Sequence, residues 1–340
     1  MTKYEHTVTK EQKTEKHLID AGRSSRGWSR IGNFFKCPQL FAYGERLDIS
    51  LIPGSALTRG SMGHVMQAHL HAIWGCKQGG VWVDEEWFTD AESLLGPEES
   101  LHAWCEANGD GYEHIDRMTE TFRRYLAQYP EPPGRIIAVE YPVTAVLGEK
   151  AGRWGLWVVH PEEQGFDHRS VTVKACDGDI IKPSPLNVPG HPDHGAALTL
   201  TRRIDMTVQD RSGREFIWDH KHQARVDPNR SVDAYAIDGG FAAFRIMGRQ
   251  LYKNFGGVAL NLIQTQPQWK VARPMVPATP HRDRHFAEML WRAEHNLARL
   301  DVDCPDLWSW PKSQHETTCF GRYGKCAALK LCFYGQAGQY

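Results

Sequence analysis

One stretch constrains this chain more than any other. Residues 202–222, RRIDMTVQDRSGREFIWDHKH, carry the alternation and the turn of an antiparallel β-hairpin. The turn Asp210-Arg211-Ser212-Gly213 suits a three-residue loop with Gly213 left-handed, a conformation glycine adopts without steric cost. That loop pairs Asp210 with Arg214, and the same register sets Asp205 opposite Asp219. Strand residues alternate faces, so Asp219 and Lys221 point one way and His220 the other. Two carboxylates opposite each other in a ladder sit about 5 Å apart between Cβ atoms and repel. A divalent cation between them removes the conflict. A [D/E]-x-K triplet alone is common; Glu11-Gln12-Lys13 is another, and a surface ion pair is its usual meaning. Here Phe216, Ile217 and Trp218 make the strand apolar on both faces, which places Asp219 at the end of a central strand. Buried like charges are costly unless they are used.

Around the hairpin, helical and strand patterns alternate irregularly. Residues 59–74 carry Met62, Val65, Met66, His69, Leu70 and Ile73 on one stripe, with His64 beside it. Ser29 is placed to cap a short helix in 28–47, and Pro38 breaks it before a second one. A further helix covers 115–129, and RIIAVEYPV (135–143) reads as a strand. After the hairpin come a long helix over 235–255, the strand GGVALNLIQT, and an amphipathic helix over 285–300. This order predicts an α/β fold with a mixed central sheet flanked by helices. Four regions are expected: a mobile polar leader (1–23), a helical region (24–130), a core (131–284) with an insertion at 148–200, and a C-terminal segment (285–340).

The net charge is −1, so any nucleic-acid binding needs a local groove rather than a basic surface. The apolar share of 41% and twelve Trp allow a sizeable core. No apolar run approaches the ~20 residues of a membrane span, and the first residues match neither a signal nor a transit peptide. A cytoplasmic location without membrane attachment is the expectation. The GxxxxGK[ST] phosphate loop does not occur, so no ATP use is expected.

The chain has eight Cys. In a cytosolic protein, clustered cysteines favour metal or cluster ligation over disulfides. Cys319, Cys326 and Cys332 crowd the C-terminal end, and Cys37 lies near the other. Four thiolates suit an iron–sulfur cluster, with structural Zn²⁺ as the alternative on the same ligands. Either would staple the two ends of the chain together. Cys76, Cys105, Cys176 and Cys304 are scattered and read as free thiols.

On Asp205, Asp219 and Lys221 the chain resembles the PD-(D/E)XK nuclease superfamily, in its RecB-like exonuclease branch. The resemblance implies a restriction-endonuclease-like sheet. It also implies a Mg²⁺- or Mn²⁺-dependent deoxyribonuclease that hydrolyses phosphodiester bonds from single-stranded or frayed DNA ends. Asp205 matches the first acidic ligand, and Asp219 with Lys221 the D/E-x-K pair. His64, in RGSMGH, matches a further metal ligand. The His220 backbone carbonyl would also face the metal, and Glu140, in AVEYP, matches an upstream strand Glu. Arg203 shares the strand face of Asp205 and is the candidate DNA-backbone contact. The cysteine arrangement resembles that of the AddB-type and CRISPR-adaptation iron–sulfur nucleases. It implies a 4Fe–4S cluster on Cys37, Cys319, Cys326 and Cys332 in a helical cap formed by both termini. Partners implied are DNA and a helicase, annealing or CRISPR-adaptation protein, in recombination, replication or repair. The chain departs from the family in having Arg202 where a Gly is usual and Gly240 and Phe244 where a Gln–Tyr pair is usual. Six residues, not two, separate Cys319 from Cys326. The alternative is a nuclease-fold DNA-binding or assembly subunit with weak or no catalysis.

Overall fold

The computed structural model describes residues 26–47, 55–83, 86–163, 165–313, 316–321, 324–326 and 328–334. The leader expected at 1–23 lies outside them. In chain order the elements begin with α1 (Trp28–Lys36), α2 (Pro38–Phe41) and a π turn over Ala42–Arg46. There follow α3 (Ser55–Lys77), β1 (Val81–Val83), β2 (Glu86–Phe88), α4 (Pro97–Asn108) and α5 (Ile115–Gln128). Next are β3 (Arg135–Lys150), β4 (Arg153–Val158), β5 (Val173–Lys174), β6 (Ile180–Pro183), β7 (Thr199–Gln209) and β8 (Glu215–Gln223). The remainder is α6 (Pro228–Ala236), α7 (Gly239–Leu251), β9 (Phe255–Gln264), β10 (Val271–Ala272), β11 (Met275–Val276), α8 (Pro280–Asp303), α9 (Glu316–Cys319), β12 (Phe320–Gly321), β13 (Gly324–Lys325) and α10 (Leu329–Tyr334). The protein is α/β, with a large mixed sheet flanked by helices. Among the described residues no helix is long and apolar enough to cross a membrane.

The chain divides into two compact units. The described part of the first lies within 55–143 and 203–280. Its sheet runs β10-β9-β8-β7-β3-β1-β2. β8 pairs antiparallel with β7 and parallel with β9, so it is a central strand. Strands buried on both faces read as near-continuous apolar runs, as β9 does with Val258, Ala259, Leu260, Leu262 and Ile263 all buried. Helix α3 packs against β8 and β1. Its Ala68, Ala72 and Cys76 join Val81, Ile136, Val139, Met206 and Trp218 in one apolar cluster, while its Met62, Met66 and Leu70 join Leu101, Met118 and Phe122 in another. Burying a side chain of this size contributes about 1.5–3 kcal/mol each, which anchors the helix that carries His64.

The second unit comprises Ser24–Ile52, Thr144–Arg202 and His281–Tyr340. The segment 148–200 holds β4 to β6. β4 pairs with the end of β3 (Ala145↔Val158 to Lys150↔Arg153) around a turn at Ala151 and Gly152, both with positive φ. Two bidentate ion pairs, Arg30–Glu294 and Arg46–Asp301, each closing to 2.7 Å, tie the N-terminal helices to α8.

Two local expectations differ from the structure. Ser29 is not a cap: α1 starts at Trp28 behind Gly27, and no side chain caps it. In place of the long helix expected over 235–255, α6 ends at Ala236, α7 runs over Gly239–Leu251, and Phe255 already belongs to β9. Asp238 lies at the break, its carboxylate accepting from the N–H groups of Gly240 (2.7 Å) and Phe241 (3.3 Å) and so capping α7. A carboxylate that satisfies exposed N–H groups starts a new helix more favourably than it continues an old one.

Candidate metal centre

The hairpin register is Met206↔Trp218, Thr207↔Ile217, Val208↔Phe216 and Gln209↔Glu215. The turn closes with the Asp210 N–H donating to the Arg214 carbonyl at 2.9 Å, and Gly213 has φ +79°. One step further along the register, the Asp205 carboxylate accepts the backbone N–H of His220 at 2.6 Å. Asp219 is 3% exposed, and its carboxylate forms a close ion pair with the Lys221 ammonium. The Lys221 ammonium also lies 5.7 Å from the Tyr235 ring centroid, 6.0 Å from that of Phe241, and 3.5 Å from the His220 carbonyl oxygen. Burial works against the charge on Lys221, but Asp219, Tyr235 and Asp205 outweigh it and hold its pKa above the ordinary lysine value. Lys221 is therefore a fixed cation.

Helix α3 brings His64 to the same place, its Nδ1 3.5 Å from the Asp205 carboxylate. β3 brings Glu140. This residue has φ +53° inside a strand, a left-handed conformation that costs a non-glycine residue about 1–2 kcal/mol. One ligand atom each from His64, Glu140 and Asp205 lies within 4.8 Å of the other two. Asp219 is not part of that triad. Arg203 reaches Glu140 at 3.8 Å, so its charge faces this carboxylate.

No family model matches the chain, and no curated protein matches it.

Several residues at the centre escape a reading of the sequence. His220 and His222 occupy the strand face opposite to Asp219 and Lys221. The His222 ring centroid lies 5.5 Å from that of His64, and His220 lies 4.8 Å from His71. Burial first, then neighbouring histidines and Lys221, hold His220 and His222 well below the usual histidine range, so both are neutral. His220 Nδ1 lies 3.2 Å from the Asn261 amide, which also bonds Gln67 (2.8 Å) and the Tyr125 hydroxyl (3.0 Å). Tyr235 and Phe241 flank Lys221 from α6 and α7. Gly240 and Phe244, at the expected Gln–Tyr positions, are both buried in α7.

The four clustered cysteines belong to the second unit. The Ser313 N–H donates to Cys37 Sγ at 3.4 Å, and Cys319 Sγ donates to the Ser313 carbonyl at 3.4 Å. The Cys326 N–H donates to the Cys319 carbonyl at 2.7 Å. Cys326 and Cys332 pack beside a cluster of Tyr43, Ala328 and Leu331. Burial pushes the Cys326 and Cys332 thiols up, and the neighbouring Cys37 and Cys319 push both further. Thiols such as Cys326 and Cys332, which resist ionising beside other sulfurs, suit a cationic centre that would offset the charge. All eight cysteines are free of disulfides.

Proposed function

We propose that this chain is a Mg²⁺- or Mn²⁺-dependent deoxyribonuclease of the PD-(D/E)XK type, acting on single-stranded or frayed DNA ends. The observation that carries the reading is the donor triad His64, Glu140 and Asp205, set beside the buried Asp219–Lys221 pair. Two carboxylates and an imidazole within 4.8 Å fit a small divalent cation, and the imidazole suits Mn²⁺ as well as Mg²⁺. Glu140 supports the fit, because a strained backbone at an acidic residue points to a purpose beyond folding.

A divalent cation there would activate water and offset charge on the scissile phosphate. His64, Glu140 and Asp205 would hold it, with the His220 carbonyl and Asp219 alongside. Lys221, kept charged and held by Asp219 between Tyr235 and Phe241, would meet a phosphate oxygen and steady it during attack. The Asp205 carboxylate is oriented by the His220 N–H, which bonds the same oxygen that faces His64 Nδ1.

The fold would then be restriction-endonuclease-like. Cys37, Cys319, Cys326 and Cys332 would hold a 4Fe–4S cluster, or Zn²⁺ on the same thiolates, in a cap built from both ends of the chain. A helicase, annealing or CRISPR-adaptation protein would deliver the DNA end in a cytoplasmic recombination, replication or repair process. One observation favours a second reading, an inactive DNA-binding subunit: Gly240 and Phe244 leave no polar pair on α7 where the family has one.

The test is incubation of the purified protein with end-labelled single-stranded DNA, with and without Mn²⁺. The wild-type protein should cut, and Asp219→Ala and Lys221→Ala should not, while both still bind DNA. Full cutting by either variant would remove that residue from the mechanism. No cutting by the wild type under any condition would favour the binding subunit.

A further inference from the structure

We propose that His222 is a positioning residue for the metal centre. Its ring, seated against the backbone of α3 at Gly63, fixes His64 so that Nδ1 faces Asp205. This inference rests on the metal-site reading above.

The seat is unusually close. A Cβ at residue 63 would come 2.4 Å from Cδ2 and Nε2 of His222 and 2.5 Å from Cε1. Those three atoms form one edge of the ring, so that edge lies directly on the helix backbone, and only glycine admits it there. The next residue on the helix is His64, whose ring meets the His222 ring at 5.5 Å and 65°. Two successive residues of α3 thus contact one side chain of β8, Gly63 beneath the ring and His64 beside it. His64 is 29% exposed in its side chain, so without a neighbour on that side it has room to rotate away from the carboxylates.

His222 does not itself belong to the donor triad. Its Nδ1 is buried and makes no hydrogen bond among the described residues, so packing rather than a polar partner holds the ring. Residues that orient a metal ligand from behind typically change metal affinity by about 10- to 100-fold when removed. His222 and Gly63 have that place here: neither belongs to the donor triad, His222 meets the His64 ring, and Gly63 precedes His64 on the helix and seats the His222 ring.

The experiment measures Mn²⁺ binding to the full-length protein by electron paramagnetic resonance, with pulsed detection of nitrogen coupling from the bound imidazole. Wild type should bind Mn²⁺ with a nitrogen signal that His64→Ala abolishes. His222→Ala and Gly63→Ala should each weaken Mn²⁺ binding by about tenfold or more and lose that signal. His222→Gln, a planar group of similar bulk, should restore affinity to within about threefold of wild type. Wild-type affinity and an intact nitrogen signal in His222→Ala or Gly63→Ala would overturn the inference. So would His222→Gln behaving as badly as His222→Ala, because the imidazole itself would then be required. A wild-type protein that binds no Mn²⁺ would sink the metal-site reading along with it. Loss of signal in His64→Ala alone would leave the site standing and remove only His222. Should His222→Ala fail to fold by circular dichroism, Gly63→Ala and His222→Gln decide the matter.

Discussion

The backbone N–H of His220 donates to the Asp205 carboxylate at 2.6 Å, so one strand of the hairpin holds the acid of the other. This bond allows two roles of Asp205 to be tested apart, structural acceptor and proposed metal ligand. Asp205→Asn keeps an acceptor for the N–H but loses the charge. It should bind Mn²⁺ at least tenfold more weakly while staying within about 1 kcal/mol of wild-type stability. Asp205→Ala also orphans the N–H and should cost a further 1–3 kcal/mol or so. Urea denaturation of both variants checks this; equal stability would mean the hydrogen bond does not matter to the fold.

Glu140 tests whether strain serves the site. Its φ of +53° suits glycine. Glu140→Gly should therefore melt no lower than wild type while losing Mn²⁺ affinity. Glu140→Val, β-branched at a left-handed position, should lose affinity and about 1–3 kcal/mol of stability as well. Calorimetry with and without Mn²⁺ reads both effects. A destabilised glycine variant would show that the backbone there is not strained.

His71 sets an acid limit. It is fully buried, neither ring nitrogen makes a hydrogen bond among the described residues, and burial, with Arg273 nearby, pushes its pKa down to about 3. The unfolded residue titrates near ~6.5. Between those values the unfolded chain holds a proton that the folded one refuses, so stability rises with pH across the window and falls on acidification. From pH 8 to pH 5 the loss attributable to His71 is roughly 2 kcal/mol. His71→Leu should flatten that part of the slope in urea titrations at the two pH values. An unchanged slope would place the acid sensitivity elsewhere.

The cysteine set predicts a coloured protein. Purified without oxygen, it should absorb near ~400 nm if iron and sulfide are bound, and Cys326→Ser should lose both colour and iron. A colourless preparation carrying one zinc would assign the site to Zn²⁺. Chelation should lower the melting temperature in either case, because metal binding stabilises only the folded chain.

The hairpin was legible because everything that fixes it is local: a DRSG turn, alternating faces, and apolar residues on both sides of β8. The triad was legible only in part. Nothing in AVEYP signals that Glu140 turns left-handed, because the neighbouring residues all favour ordinary strand. His222 reads as simple alternation after Lys221. Its meaning depends on Gly63, more than a hundred residues earlier, and a helix glycine has many explanations. Tyr235 and Phe241 were hidden by reading two helices as one, although Asp238-Gly239-Gly240 carries the break. Helix α4 was open to the same reasoning: Pro97 in the first turn and Glu99, accepting from the Gly96 N–H at 2.9 Å, are ordinary start signals. Its partition into interleaved units leaves no local trace, since neither unit is a contiguous stretch.

That interleaving has a consequence for biosynthesis. Cys37 leaves the ribosome early, but its three companions are in the last segment of the same unit. At about 5–20 residues per second, the ~280 residues in between take roughly 15–60 s to emerge. Throughout that interval the Cys37 thiol is without Cys319, Cys326 and Cys332, the thiols proposed to share its site. If the four sulfurs share one metal or cluster, it can be inserted only once Cys332 has been made, and a chain stalled before that residue cannot receive it.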